Sequence, residues 1–120
     1  MVSCISNVNE VKRCMSKSII FDSVLVIDFF ASWCKPCRKL TPIYDEIAKE
    51  VNDVDFYKVD YDEGEDVVEF FDVEKLPTVL IIKKGEVVKR MIGTITKDDI
   101  MNKLGEYVEL EDKKELDKPA

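Results

Sequence analysis

The sequence predicts an α/β protein with a mixed central β-sheet of about five strands and about four helices on both faces of the sheet. Three observations predict this fold class. Strand-like apolar segments alternate with amphipathic ones in the order β-α-β-α-β-α-β-β-α, one strand-like segment is apolar along nearly its whole length, and a tight turn joins the last two strands. Alternation favours parallel pairing of the first strands, whereas the turn at Lys84-Gly85 makes the last pair an antiparallel hairpin.

The N-terminal segment predicts a short strand followed by a helix. Residues 2–6 (VSCIS) form the strand. Asn7 is a suitable N-cap, and Glu10 is its capping-box partner. Apolar residues then recur at helical spacing, which predicts a helix over roughly residues 8–18.

The next two elements form the centre of the sheet and the helix beside it. Val24–Phe30 is a β-rich apolar run, which fits a central strand covered on both faces. Between Cys34 and about Val51 the apolar residues lie on one stripe, which predicts a helix. Pro42 lies inside this helix and should kink it.

The second half of the chain completes the sheet. Residues 55–60 predict a second central strand and residues 65–71 a short helix. Residues 78–83 and 86–92 predict the two strands of the hairpin. Thr96 is a good N-cap for a final helix. Three apolar residues of that helix share one face: Ile100, Leu104 and Val108.

Length and composition suit one globular domain. The chain has 120 residues, of which 46% are hydrophobic and 36% charged. We assign the domain to residues 1–110. Residues 111–120 (EDKKELDKPA) are charged and offer no apolar face, which predicts a flexible tail.

Charge and apolar runs exclude several classes of protein. The net charge is −7 and the basic residues are scattered, so we expect no nucleic-acid partner. The run Val24–Ala31 is too short to cross a membrane, and the N-terminus has no apolar core of signal-peptide length. We therefore expect a cytoplasmic protein with no membrane partner. The chain has no histidine, which excludes Cys–His and Ser–His–Asp catalysis.

Cys34 and Cys37 carry the strongest functional signal. They enclose Lys35 and Pro36 in the segment WCKPC, where the central strand ends and a helix begins. Cysteines at this spacing in a first helical turn can reach disulfide distance, about 5.5 Å between Cα atoms. Unpaired N–H groups and the helix dipole stabilise a thiolate at Cys34, and a thiolate is the species that attacks a disulfide. Lys35 adds a cation, and Pro36 fits the first turn because it needs no N–H partner.

The other cysteines, Cys4 and Cys14, leave alternatives open. The pair Cys34 and Cys37 could also be half of a four-cysteine zinc site. Such a site needs a second close pair, which Cys4 and Cys14 do not form, so we expect no metal. Cys14 lies on the apolar stripe of the first helix and is expected to be buried. Cys4 could be buried too, and a regulatory or intermolecular disulfide is the alternative for either residue.

Asp28 is the second functional signal. It interrupts the apolar run VLVIDFFA, six residues before Cys34. Burial raises the pKa of a carboxyl group, and a buried acid can then exchange protons with a thiol near neutral pH. Lys58, in the neighbouring predicted strand, is the candidate partner. The alternatives for Asp28 are an Asp on an edge strand facing water and an Asp neutralised by a partner. The alternative for Lys58 is an ordinary exposed strand Lys.

The chain resembles the thioredoxins along nearly its whole length. The matched residues follow the family's order and spacing: the acid in VIDFFA, the WCKPC segment, Pro42, Lys58 in FYKVD, Pro77 in LPT, Gly85 in KKGE, and Gly93 before the last helix. From the sequence alone a trans bond before Pro77 is favoured, because only ~5–6% of X–Pro bonds in folded proteins are cis. The resemblance reverses that expectation and implies a cis Pro77 facing the disulfide.

The resemblance also implies the thioredoxin fold and a set of roles. Cys34 would be the nucleophile and Cys37 the resolving thiol. Asp28 would be the buried proton-handling acid and Lys58 the residue that tunes it. The implied substrate-binding surface consists of Trp33, Pro36, Leu76, Pro77, Ile92, Gly93 and Thr94.

Two positions depart from the family's pattern. Lys35 stands where the family usually has Gly, so Lys35 and Pro36 are the candidate residues for tuning the reduction potential. Phe30 stands where the family often has Trp, and we expect no functional consequence.

The predicted function is thiol–disulfide exchange in cell redox homeostasis. Reduced protein would reduce protein disulfides, and an NADPH-dependent thioredoxin reductase, as the resemblance implies, would regenerate the dithiol. We expect a monomer without a bound cofactor. Two alternatives remain: a disulfide-donating oxidase- or isomerase-like domain, and a non-catalytic binding module.

Overall fold

Five strands and four helices make up residues 1–110, which the computed structural model of the protein describes. The predicted flexible tail, residues 111–120, lies outside the described residues. The elements are β1 (Val2–Cys4), α1 (Val8–Ile20), β2 (Val24–Phe30), α2 (Lys35–Glu50), β3 (Val54–Asp60), α3 (Glu65–Phe70), β4 (Thr78–Lys83), β5 (Glu86–Ile92) and α4 (Lys97–Leu104).

The sheet is mixed, as predicted, with the strand order β1-β3-β2-β4-β5. β3 pairs in parallel with both β1 and β2. β4 pairs antiparallel with β2 on one side and with β5 on the other. The apolar strand β2 therefore lies at the centre of the sheet.

The direction of β4 differs from the parallel pairing that strand–helix alternation suggested. The connection from β3 to β4 contains only the six-residue helix α3. A helix of that length spans about 9 Å, whereas a seven-residue strand such as β3 spans about 23 Å. α3 itself does not cross the length of the sheet. β4 starts at the edge where β2 and β3 end, since Thr78 pairs with Phe29 near the end of β2, and it runs back from there.

The alternating side chains of β2 place a core on each face of the sheet. Val24 and Val26 pack in a cluster with buried residues of α2 and α4, among them Ile47 and Ile100. Leu25, Ile27 and Phe29 point the other way and pack with residues of α1 and α3, including Val11 and Val67. Helices therefore cover both faces of the strand, which explains why it has almost no polar positions.

Two helices end at different residues from those predicted. Asn7 caps α1 by accepting from the backbone N–H of Glu10, and the helix extends to Ile20 rather than residue 18. α4 ends at Leu104 with Gly105 as its C-cap, so Val108 lies beyond the helix. Val108 still packs against the same core cluster as Leu104, which is why its sequence spacing resembled that of a longer helix. No helix within residues 1–110 is long and apolar enough to cross a membrane.

The N-terminus of α4 offers a test of the fold. The Thr96 side chain accepts from the backbone N–H of Asp99, and the Asp99 carboxylate accepts from the backbone N–H of Thr96. We expect Thr96→Ala to lower the free energy of unfolding by about 1 kcal/mol, because two helix-end donors depend on this reciprocal cap. Urea unfolding measures the loss, and Thr96→Ser, which keeps the hydroxyl, is the control. Equal stability of the two variants would contradict the capping role.

Candidate active site

The close cysteine pair lies where the centre of the sheet meets α2. Cys34 and Cys37 form a disulfide with their Cα atoms 5.3 Å apart. Cys34 is the N-cap of α2, and its Sγ accepts from the backbone N–H of Cys37 at 3.3 Å. Cys34 is 6% exposed and Cys37 only 2%. Cys34, at the helix N-cap, is therefore the less buried residue of the pair.

Lys35 and Pro36 occupy the first turn of α2 and are both exposed. Pro36 fits there because the first N–H groups of a helix have no partner within the helix. Arg38, in the same turn, donates from its guanidinium to the backbone carbonyl of Ser32 at 3.0 Å. This contact ties the start of α2 to the loop that leads into the disulfide.

Trp33 is held in place by residues that the sequence did not single out. Its side chain is 60% exposed, and its Nε1–H donates to the Asp62 carboxylate at 2.8 Å. Its ring meets the ring of Tyr61 edge to face, with the centroids 6.3 Å apart. Asp62 follows β3 by two residues, in an acidic segment whose sequence is typical of a solvated loop. The only sequence signal for the contact between Trp33 and Asp62 is that this segment lies at the same end of the sheet as WCKPC.

The Leu76–Pro77 peptide bond is cis, as the resemblance implied. Pro77 is buried, and Leu76 is half-buried and packs against the cluster that contains both cysteines. The Pro77 carbonyl accepts from the backbone N–H of Gly93 at 3.1 Å. Gly93 has φ +91°, and a Cβ there would meet no atom within 4 Å, so backbone conformation rather than space favours glycine.

Ile92 and Thr94 flank Gly93 at the end of β5. Thr94 is exposed, and the large apolar side chain of Ile92 is 51% exposed. Ile92 pairs with Thr78, the first residue after Pro77. The segments around Pro77 and Gly93 are thus adjacent.

Asp28 is buried in the centre of the sheet and does not face water. It is 3% exposed, and its Oδ1 has no hydrogen-bond partner among the described residues. Burial raises the pKa of Asp28 to about 7, Lys58 acts in the opposite direction, and Asp45 adds to the rise. The prediction of a buried acid is therefore confirmed, and the alternative of an edge-strand Asp is wrong.

Lys58 lies directly beside Asp28 in the parallel pairing of β2 with β3. It is half-buried, so it is not an ordinary exposed strand Lys. Its Nζ lies 5.7 Å from the centroid of the Phe30 ring, a distance at which the ring face attracts a cation. The positive charge favours the ionised form of Asp28 and limits the rise in its pKa.

Tyr44 adds a buried hydroxyl that sequence reasoning had treated only as part of the apolar stripe of α2. Its side chain is 1% exposed, and its Oη lies 2.7 Å from the carbonyl oxygen of Tyr57 and 3.1 Å from that of Val26. Burial raises the pKa of Tyr44, and the charge of Asp28 raises it further. The hydroxyl therefore stays protonated and ties α2 to the two central strands.

The remaining cysteines are both free. Cys14 is half-buried and packs at the edge of the core, which agrees only in part with the expected burial. Cys4 is exposed, so the expectation that it could be buried is wrong. The three-residue strand β1 lies at the edge of the sheet, and this position leaves its side chains open to solvent.

Comparison with known proteins identifies the family. The thioredoxin family model matches residues 7–106. The chain is 46% identical to an H-type thioredoxin of Fagopyrum esculentum over 81 residues, which are 68% of this chain and 69% of that protein. It is 39% identical to an H-type thioredoxin of Oryza sativa subsp. indica over 108 residues, 90% of this chain and 87% of that one. The crystal structure of thioredoxin NaTrxh from Nicotiana alata matches with a TM-score of 0.82 at 33% identity, covering 90% of this chain and 93% of that one.

A mixed sheet that presents a cysteine pair at a helix N-terminus defines a thiol–disulfide oxidoreductase. Within that class, the chain belongs to the thioredoxin family. It is a protein-disulfide reductase that works by dithiol–disulfide exchange through Cys34 and Cys37. Its general partners are disulfide-containing proteins and a thioredoxin reductase. Neither the disulfide-donating nor the non-catalytic alternative is favoured.

Proposed function

We propose that Cys34 is the attacking thiol and Cys37 the resolving thiol of a protein-disulfide reductase. The observation that carries this assignment is the N-cap geometry: Cys34 Sγ accepts from the backbone N–H of Cys37, and Cys34 is the less buried residue of the pair. In the reduced protein the same N–H group and the helix dipole would stabilise a thiolate on Cys34. Cys37, further inside, is shielded from an incoming protein.

The exchange proceeds in two displacements that together transfer two electrons. The Cys34 thiolate attacks one sulfur of a substrate disulfide, the substrate S–S bond breaks, and the second substrate sulfur leaves as a thiolate. Cys37 then loses its proton and attacks the Cys34 sulfur of the mixed disulfide. The first substrate sulfur leaves as a thiolate, and the Cys34–Cys37 disulfide remains. The substrate is reduced and the protein oxidised.

We assign to Asp28 the proton that Cys37 must lose, passed through water. A base with a pKa near the working pH exchanges protons efficiently, and burial gives Asp28 a pKa of about 7. Lys58 would tune this acid, since its charge opposes the effect of burial. Together Asp28 and Lys58 complete the proposed catalytic set.

The proposed substrate surface surrounds the disulfide with exposed apolar groups and backbone. Trp33 and Ile92 supply large exposed apolar side chains, which suits binding of an extended substrate segment. The other members of the surface are Pro36, Leu76, Pro77, Gly93 and Thr94. The hydrogen bond from Trp33 to Asp62 fixes the indole at one edge of this surface.

Lys35 would shift the reduction potential slightly. A cation beside the reduced thiolate stabilises the dithiol form, which makes the protein more oxidising, and about 30 mV corresponds to 1.4 kcal/mol. Lys35 is exposed, so solvent screening keeps the shift small.

Regeneration of the dithiol completes the proposed cycle. The electrons would come from NADPH through a thioredoxin reductase, which makes the protein an electron carrier in cell redox homeostasis. We place it in the cytoplasm as a monomer.

Trapping of the mixed disulfide tests the assignment of the two thiols. We expect reduced Cys37→Ser to accumulate a covalent adduct with insulin, because Cys34 attacks an insulin disulfide and releases one insulin thiol, while the resolving step is lost. Non-reducing electrophoresis and intact mass measure the adduct. Cys34→Ser is the matched control and should give none. An adduct that forms equally in the Cys34→Ser variant would reverse the roles.

A further inference from the structure

Three consecutive large apolar side chains are exposed at the C-terminal end of α1. Ile19, Ile20 and Phe21 are 53%, 75% and 71% exposed. The remaining large apolar residues that are exposed within residues 1–110 either stand singly or belong to the proposed substrate surface: Met1, Phe70, Val87, Trp33 and Ile92. Single exposed apolar residues are ordinary, whereas a contiguous patch marks a binding surface.

Two of these side chains line a shallow hollow with a positive rim. Ile20 and Phe21 share a space of about 480 Å³ with Lys12, Arg13, Ser16 and Lys17, a set that we call the basic–apolar hollow. No carboxylate is among these six lining residues, and within residues 1–110 none of the three cations forms a salt bridge.

One carboxylate of α1, that of Glu10, interacts with this rim. Glu10 attracts Arg13, but its Oε1 accepts from the backbone N–H and the hydroxyl of Ser6, at 3.0 and 2.7 Å. That carboxylate is held at the N-terminal cap of α1. Lys12, Arg13 and Lys17 outnumber this single carboxylate, so the rim keeps a local positive charge on a molecule whose net charge is −7.

The basic–apolar hollow lies far from the disulfide. α1 ends just before Val24, where β2 begins, and Cys34 follows the opposite end of that seven-residue strand. A strand of this length spans about 23 Å. Ile19 lies against the hairpin turn at that end, since a Cβ on Gly85 would be 3.1 Å from Ile19 Cδ1. An occupant of the hollow would leave the disulfide open to substrates.

We propose that the basic–apolar hollow docks an acidic segment of a partner protein that carries one bulky apolar side chain. The apolar side chain would pack on Ile20 and Phe21, and flanking carboxylates would meet Lys12, Arg13 and Lys17. Such a contact would tether the oxidoreductase to a client or an assembly while the dithiol continues to turn over.

The short range of electrostatic interactions in salt favours a protein segment over an anionic membrane as the occupant of the hollow. At physiological salt, charges act over about 8 Å, so a short acidic segment in the hollow meets mainly the positive rim. A membrane plane faces a much larger part of the molecule, whose net charge of −7 opposes binding.

Titration of the full chain with defined peptides tests the proposal. The probes are 12-residue peptides with a central Phe, Leu or Trp flanked by Asp and Glu, and matched peptides in which Lys replaces the acids. We expect the acidic set to shift ¹H–¹⁵N signals of Lys12 to Phe21 and the Lys set to leave them unchanged. Lys12→Glu combined with Lys17→Glu should weaken binding by at least about tenfold, with insulin reduction unchanged.

The matched control is Lys49→Glu, an exposed cation in the last turn of α2, which should bind the acidic peptides normally. The proposal is overturned if no acidic peptide shifts these signals, or if the Lys peptides bind equally well. Binding to phosphatidylserine vesicles without peptide binding would assign the hollow to a membrane instead. Concentration-dependent dimerisation that Phe21→Ser abolishes would assign it to a second copy of the chain.

Discussion

Substitution of Cys34 by serine is expected to abolish catalysed disulfide reduction. With insulin as substrate and dithiothreitol as electron source, the rate should fall at least about 100-fold, to that of dithiothreitol alone, a loss of about 2.7 kcal/mol or more. The reason is chemical: a hydroxyl at the N-cap of α2 remains protonated and cannot attack a sulfur, whereas a thiolate can. Turbidity of the precipitating insulin chain measures the rate.

The free cysteines provide controls for this result. Cys4→Ser and Cys14→Ser should keep the wild-type rate, because neither residue belongs to the cluster that contains the disulfide. Urea unfolding of Cys34→Ser establishes that the variant is folded. Acceleration by folded Cys34→Ser at the wild-type rate would show that another thiol carries the reaction.

Substitution of Asp28 by asparagine is expected to stabilise the protein at high pH. Burial raises the pKa of Asp28 from 3.8 to about 7 in the folded state. Between those values the folded protein binds more protons than the unfolded chain, so the wild-type free energy of unfolding falls as pH rises from about 4 to about 7. A shift of about three pKa units lowers the free energy of unfolding of the wild type by about 4 kcal/mol over this range. Asparagine does not titrate, so the variant does not lose stability in this way.

Urea unfolding of the oxidised protein from pH 4 to pH 8 measures this effect. The stability of Asp28→Asn relative to wild type should rise by about 4 kcal/mol across that range. Any constant cost of a buried amide without partners cancels in the comparison between pH values. Glu69→Gln, at an exposed carboxylate of α3, should show no such rise. A difference from wild type that does not vary with pH would contradict a raised pKa in the folded state.

Local patterns explain how much of the fold could be predicted from the sequence. β2 is recognisable because burial on both faces requires an apolar run, and α4 because Thr96 is a good N-cap that precedes apolar residues at helical spacing. The direction of β4 could not be predicted in this way, since it depends on the edge of the sheet at which residues 61–77 leave the chain. The end of α4 was also missed, because Val108 continues the helical spacing without being helical.

The active site was likewise predicted only in part from the sequence. The cysteine pair, the buried acid and its lysine neighbour carry their chemistry in residue type and in their place on an element. The contact between Trp33 and Asp62 joins residues 29 positions apart, and the hydroxyl of Tyr44 bonds to backbone on two strands. Neither contact has a local sequence signature, because each arises only when the strands and α2 have packed together.

The spacing of the disulfide has a consequence for how the protein stores electrons. Cys34 and Cys37 are three residues apart, within a turn that the α2 backbone already holds. A structural disulfide joins distant segments, and its cleavage frees them to move apart. Here cleavage releases only one turn of helix, so we expect the same architecture in both redox states. The protein can therefore take up and release two electrons repeatedly while its fold stays the same.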